Sequence, residues 1–318
     1  MKYTGILRQQ SSNNLKTLLL LIMFPVLLLG LTWVFCIITV RSTGYLDPDY
    51  YQMYMTPNEA FVMYAPIVMG VTAIWFLIAY ALNSWMISSA TSSRPLERRD
   101  NKRVYNLVEN LCMAQGMQMP KVNVIEDSSL NAFASGINNK NYTVTLSRGI
   151  IERLDDAELE GVIAHELCHI RNRDVRLLVV SIIFVGIFTY IAQFAVRALW
   201  YAPRRNRGGK NDGGAIVMML IVAVLAAIGY LFSLLLRFAI SRKREYMADA
   251  GAAGMTKNPR ALASALRKIS GDPRIESVTR EDVAQLFIEH PLNKKGGFSN
   301  LFATHPPIQK RIEILEQF

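Results

Sequence analysis

Residues 154–174 read LDDAELEGVIAHELCHIRNRD, and the rest of the chain is organised around them. As an α-helix this stretch caps its own start: Asp155 takes the cap position and Glu158 follows three residues later, the pattern of a capping box. Leu159, Val162, Ile163 and Ile170 recur at helical spacing and supply an inner face. His165 and His169 are four apart, so on that helix their imidazoles point the same way. Only four histidines occur in 318 residues, and chance gives about two H-E-x-x-H matches in a thousand such chains. Two neutral imidazoles are two of the three protein ligands a catalytic zinc needs. Glu166 is turned by about 100° from His165. There it can flank a metal without binding it, take a proton from attacking water and return it to a leaving amine.

Outward from the motif, composition decides the environment. The chain is 51% hydrophobic and 19% charged. The excess resolves into four charge-free blocks, residues 17–40, 60–93, 177–196 and 213–236. Each is as long as the ~20 residues that cross a bilayer as a helix. The first is longer than a signal-peptide core and is followed by no small-residue cleavage site. Cys36, Cys112 and Cys168 are too few and too scattered for a disulfide framework, and unpaired thiols in a reducing compartment are expected. The net charge of +10 does not mark a nucleic-acid partner. Many of the basic residues flank the apolar blocks, and no basic stripe with interleaved aromatics occurs. The expected partner is the lipid bilayer.

Charge also orients the blocks. Lys2, Arg8 and Lys16 precede the first block and set an inside amino terminus. Residues 41–59 carry one Arg against Asp47, Asp49 and Glu59, as an outer loop does. After the second block, SRPLERRDNKR (residues 93–103) reads as a basic linker on the inside. Residues 101–116 then read as an amphipathic helix. KVNVIED, NAFASG and YTVTLSRG read as three short strands. Arg171, Arg173 and Arg176 mark the return to the membrane. The third and fourth blocks form a hairpin whose tip, PRRNRGGKNDGG, holds four Lys/Arg. Either it crosses fully with a basic outer loop or it dips in without crossing.

The best candidate for a third metal ligand is Glu245, in SRKREYMADA, where the other reading is a surface Glu–Asp pair amid arginines. Glu245 sits where the fourth block ends, as the histidines sit just before the third begins, so a membrane hairpin brings the two places together. Asp249, four residues on, shares its helical face and suits the free nitrogen of a ligand histidine.

HELCHIRNRD, EYMAD, NAFASG and THPPIQKRI each resemble a motif of the HtpX-type integral-membrane zinc metalloproteases, relatives of the CAAX prenyl proteases. Order, spacing and the four-block plan extend the resemblance over nearly the whole chain. It implies that His165, His169 and Glu245 bind zinc, that Glu166 is the catalytic base, and that Asp249 supports a ligand. It implies that Asn131 holds the backbone of a substrate added to an edge strand. It implies that His305 stabilises the oxyanion, and that Arg311 pairs with an active-site carboxylate, Asp249 being the candidate. His290 has no such match and reads as an exposed loop histidine. Cys168 departs from the small residue common at its position, and a helix turns it away from the face the histidines share. Such proteins lie in bacterial inner membranes, face the cytoplasm and degrade damaged membrane proteins, so unfolded or membrane polypeptides are the expected substrates.

The expected fold is therefore α+β and mainly helical, with four transmembrane helices. Its zincin-like catalytic domain is split between residues 94–176 and 241–318. Residues 1–93 form a membrane region, and the hairpin 177–240 is inserted between the catalytic halves. A small sheet turns one edge toward the cleft. Two other functions fit parts of the pattern. A CAAX-type protease needs an enclosed chamber, for which four membrane helices are few. A scaffold with a structural zinc needs four protein ligands and has no use for Glu166. A transporter is disfavoured, because the blocks hold no midplane carboxylate.

Overall fold

The computed structural model describes residues 6–46, 55–201, 221–230, 243–271, 286–288 and 306–318. The chain divides into two compact units. One comprises Met1–Thr17, Ala81–Ile182 and Phe238–Phe318, the other Leu18–Tyr80 and Ile183–Arg237.

The second unit is built on apolar helices. Helix α1 is Ile6–Leu46 and α2 is Pro57–Thr91. The span Gln10–Val40 has a mean hydropathy of 2.6, and Pro57–Thr91 one of 2.1. At ~1.5 Å per residue either is long enough for a hydrocarbon core of ~30 Å. Large apolar side chains lie exposed along both, among them Leu19, Ile22 and Val26 on α1 and Val62, Ile74 and Leu77 on α2. Contiguous exposed apolar surface of that kind marks a face made for something other than water. Pro25 and Pro66 lie inside these helices, as membrane helices tolerate. Phe24 stacks on Phe184 with centroids 4.1 Å apart, and Phe76 meets the same ring at 5.5 Å. The third apolar block runs in α6 (Asp174–Tyr201). The fourth is described only as α7, Ile221–Tyr230, and the hairpin tip lies outside the described residues. Among the described residues, α1 and α2 are the two helices long and apolar enough to cross a membrane.

The first unit carries a four-stranded mixed sheet. Strands β1 (Ser93–Pro95), β2 (Lys121–Ile125), β3 (Ala132–Ser135) and β4 (Thr143–Ser147) stand in the order β1-β2-β4-β3. The pairs β1/β2 and β3/β4 are antiparallel and β2/β4 is parallel. Every residue of β3 and β4 is buried, so both faces of that half of the sheet are covered. Two features differ from the sequence reading. Residues 93–95, taken as linker, form a strand because β2 offers them an edge, and Arg148–Arg153 forms a short helix, α4, with Ser147 capping it. Helix α3 (Lys102–Ala114) starts at its cap Asn101.

Helix α5, Asp156–Arg171, is the unit's axis. Its capping box is present: Asp155 accepts from the Glu158 N–H at 2.8 Å and Glu158 accepts from the Asp155 N–H at 3.0 Å. Glu158 is held again by Ser264 and Lys268 of α9 (Pro259–Gly271), at 2.7 and 2.6 Å. Helix α8 (Lys243–Thr256) crosses α5 closely because small residues meet there. Ala164, Ala248 and Ala252 are fully buried, and a Cβ on Gly251 would lie 2.6 Å from Cys168 Sγ. Cys168 thus fills a gap a larger residue would overfill. Burial pushes its thiol up to about 12, so it stays protonated. Native protein treated with N-ethylmaleimide at pH 8 is expected to carry no adduct on Cys168, by mass spectrometry, until denaturant is added. Rapid native labelling would contradict this packing.

Candidate metal centre

Three elements of one unit converge. Helix α5 supplies His165, Glu166 and His169; α8 supplies Glu245 and Asp249; and Arg311 comes from α10, Ile308–Leu315. His165 Nε2 lies 3.1 Å from His169 Nε2 and 3.6 Å from Glu245 Oε2, and His169 Nε2 lies 3.8 Å from Glu245 Oε1. All three residues are buried, and one potential ligand atom from each lies within 4.8 Å of the others. Ligands at about 2.05 Å in a tetrahedron are about 3.3 Å apart, so this donor set fits a zinc-sized ion.

The far sides of the rings point to the same conclusion. His165 Nδ1 is 2.9 Å from Asp249 Oδ1, and His169 Nδ1 is 3.1 Å from Asp174 Oδ2. A carboxylate can only accept, so His169 carries a proton on Nδ1 for Asp174, while Asp249 stands at ion-pair distance from His165 Nδ1 without an aligned hydrogen bond. The two Nε2 atoms then face each other at 3.1 Å, where a cation can replace the proton shared between them. Charge agrees. Glu166, Asp174, Glu245 and Asp249 are each 1–2% exposed, and Arg311 and Arg244 face them. Four carboxylates against two guanidinium groups make the cluster acidic, which favours a cation there.

Arg311 is fully buried and bidentate on Asp249, with Nε donating at 2.9 Å and Nη2 at 2.8 Å. Burial alone would raise the Asp249 carboxyl; the guanidinium and His165 outweigh it and hold it below the usual range. Glu166 goes the other way: burial dominates and raises it. Burial pushes His169 down, but Glu245 and Asp174 outweigh that and lift it to about 10. Glu166, His169, Glu245 and Ala134 of β3 line a cavity of about 20 Å³, room for one water molecule.

Asn131 stands at the head of β3, fully buried, with Oδ1 accepting from the Ala132 N–H at 3.0 Å. The outer edge of β3 is taken by residues 286–288 of the chain itself. The Ile288 N–H donates to Ala132 O at 2.8 Å, and Phe287 bridges to Phe133. His305 and His290 lie outside the described residues. Sequence reasoning missed Asp174, whose only local signal is an acid just beyond the turn that ends the HExxH helix.

A model of peptidase family M48 matches residues 98–318. The chain is 60% identical over 323 residues to a protein of Bacteroides fragilis named Protease HtpX homolog, with all of both chains covered. It is 42% identical over 237 residues to a protein of the same name from Dictyoglomus thermophilum, covering 74% of this chain and 76% of that one. The crystal structure of S. mikatae Ste24p aligns at a TM-score of 0.46 and 19% identity, over 89% of this chain and 66% of that one. That likeness is too distant to add weight. The family match, with the convergent donor set it covers, makes this chain a member of peptidase family M48 and a metalloprotease.

Proposed function

We propose that the chain is a zinc-dependent endopeptidase of the bacterial inner membrane. Its catalytic unit stands on the cytoplasmic side and cleaves damaged or misfolded membrane proteins. The observation that carries the reading is the meeting of His165, His169 and Glu245 in one buried cluster, with Glu166 lining the same cavity. The apolar surface of α1 and α2 supports the bilayer, and the run Arg94, Arg98, Arg99, Lys102, Arg103 after α2 supports the inside.

His165, His169 and Glu245 hold the ion. Zinc bound there supplies Lewis acidity, activating water and polarising the scissile carbonyl. Glu166 takes a proton from the attacking water and delivers it to the departing nitrogen, so the amide becomes a carboxylate and an amine. Asp174 holds the imidazole of His169 in the metal-binding tautomer, and Asp249 stands beside that of His165. Strand β3 offers backbone groups to an extended substrate that displaces residues 286–288 from its edge, without regard to the substrate's side chains, with Asn131 at its head. His305 is assigned to the developing oxyanion. The test is to load the purified full chain with zinc in liposomes and offer a membrane protein in native and destabilised forms. The destabilised form is expected to be cut faster, and a chelator to stop the cutting until zinc is restored. Equal rates on both forms would sink the quality-control reading.

Metal uptake also depends on pH. Zinc and a proton compete for His169, whose proton is held up to about pH 10 in the metal-free protein. Below that pH, apparent affinity rises about tenfold per pH unit for each proton released. Calorimetry at pH 7 in buffers of different ionisation enthalpy is expected to count about one proton released per zinc. A count of zero contradicts the protonation assigned to His169.

A further inference from the structure

We propose that the first turns of α1 hold the metal centre in register: Asn13, acting through Asp174, positions the imidazole of His169. This rests on the zinc-site reading above and adds a positioning residue outside the region, residues 98–318, that the family model matches.

Helix α5 ends at Arg171, the chain turns through Arg173 at φ 60°, and α6 begins at Asp174. The last carbonyls of a helix have no partner within it. Here α1 supplies partners. Gln10 Nε2 donates to Arg171 O at 2.6 Å, and Asn13 Nδ2 to Asn172 O at 2.8 Å. Asn13 Nδ2 also donates to Asp174 Oδ1 at 2.6 Å, and the other oxygen of Asp174 lies 3.1 Å from His169 Nδ1. Asn13, Asp174 and His169 are 6%, 1% and 9% exposed. One buried polar chain therefore runs from α1 to the imidazole.

Each link has a direction. The amide of Asn13 occupies one oxygen of Asp174 and fixes the rotation of the carboxylate. The second oxygen is left to accept the Nδ1 proton of His169. That proton sets the tautomer, and the Nε2 lone pair is thereby aimed at the metal. Without the Asn13 donor, Asp174 keeps a buried oxygen lacking its partner and is free to rotate toward another donor. The ring it orients then loosens. An α1 that served only to pack the unit would contribute stability without touching metal affinity.

The experiment uses the full chain in detergent micelles as wild type, Asn13→Leu, Asp174→Asn and the double variant. Zinc affinity is read by competition with a chromogenic chelator, ligand geometry by the visible spectrum of the cobalt-loaded protein, and folding by melting of the metal-free form. Asp174→Asn is expected to weaken zinc by about 10–100-fold and Asn13→Leu by about tenfold, both with an altered cobalt spectrum. In the Asp174→Asn background the Asn13 change is expected to matter by less than about twofold, the mark of a residue acting through its partner. Equal losses in both backgrounds, or wild-type affinity in Asn13→Leu, overturn the proposal. If Asn13→Leu shows no melting transition, Asn13→Asp keeps the shape but sets a carboxylate against Asp174. It is expected to weaken zinc more than an apolar residue does, and wild-type affinity in it overturns the proposal equally. A wild type that binds no zinc sinks the zinc-site reading itself, before any variant is compared.

Discussion

Replacing Glu166 by Gln is expected to lower kcat by about 10³-fold or more while zinc stays bound at wild-type stoichiometry. The glutamine has the same shape, so the cavity it shares with His169 and Glu245 keeps its walls. What disappears is a group that can accept a proton. The three ligand atoms are left untouched, because Glu166 is not among them. Its burial, which raises the carboxyl above the usual range, suits a base that must hold a proton briefly and give it up to an amine. The measurement pairs zinc content with single-turnover hydrolysis of an unfolded polypeptide. Loss of metal together with activity would recast Glu166 as a ligand or a structural support. Retained activity would remove the base from the mechanism. The comparison also separates a catalytic metal from a structural one, since a structural site has no need of an adjacent carboxylate.

Local features were legible in the sequence and most long-range ones were not, and the boundary is physical. The capping box of α5 involves residues three apart, and the shared face of His165 and His169 involves residues four apart. Both follow from helix geometry alone. The strand around residues 121–125 showed by its alternation, and YTVTLSRG, around residues 143–147, read as another short strand. Strand β1 did not, because SRP has no strand character of its own and forms only where β2 provides partners. Glu245 could be placed near the histidines from the order of the apolar blocks. The pairing of Arg311 with Asp249 rested on resemblance, since 62 positions separate them and no spacing rule reaches so far. Asp174 and Asn13 stand 161 positions apart. Their meeting depends on where α1 packs, which no window of sequence contains.

Replacing Arg311 by Met is expected to be among the most damaging single changes to the fold, costing about 3–5 kcal/mol. The guanidinium is fully buried and donates to both oxygens of Asp249 and, at 3.2 Å, to Ile288 O. Methionine fills much of the volume but supplies none of those donors, so Asp249 keeps a buried charge with only His165 beside it. The melting midpoint of the metal-free protein should fall by roughly 10 °C. Metal binding should weaken too, because without the guanidinium the Asp249 carboxylate is free to turn away from His165 Nδ1. Loss of packing and loss of charge balance make different predictions for the double variant Arg311→Met with Asp249→Asn. If charge is the cause, removing the stranded carboxylate restores a good part of the stability while zinc affinity stays low, since a neutral amide supports the ring of His165 more weakly than a carboxylate. A double variant no more stable than Arg311→Met alone would show that the side chain of Arg311 matters for its packing and its bond to Ile288, with the ion pair contributing little.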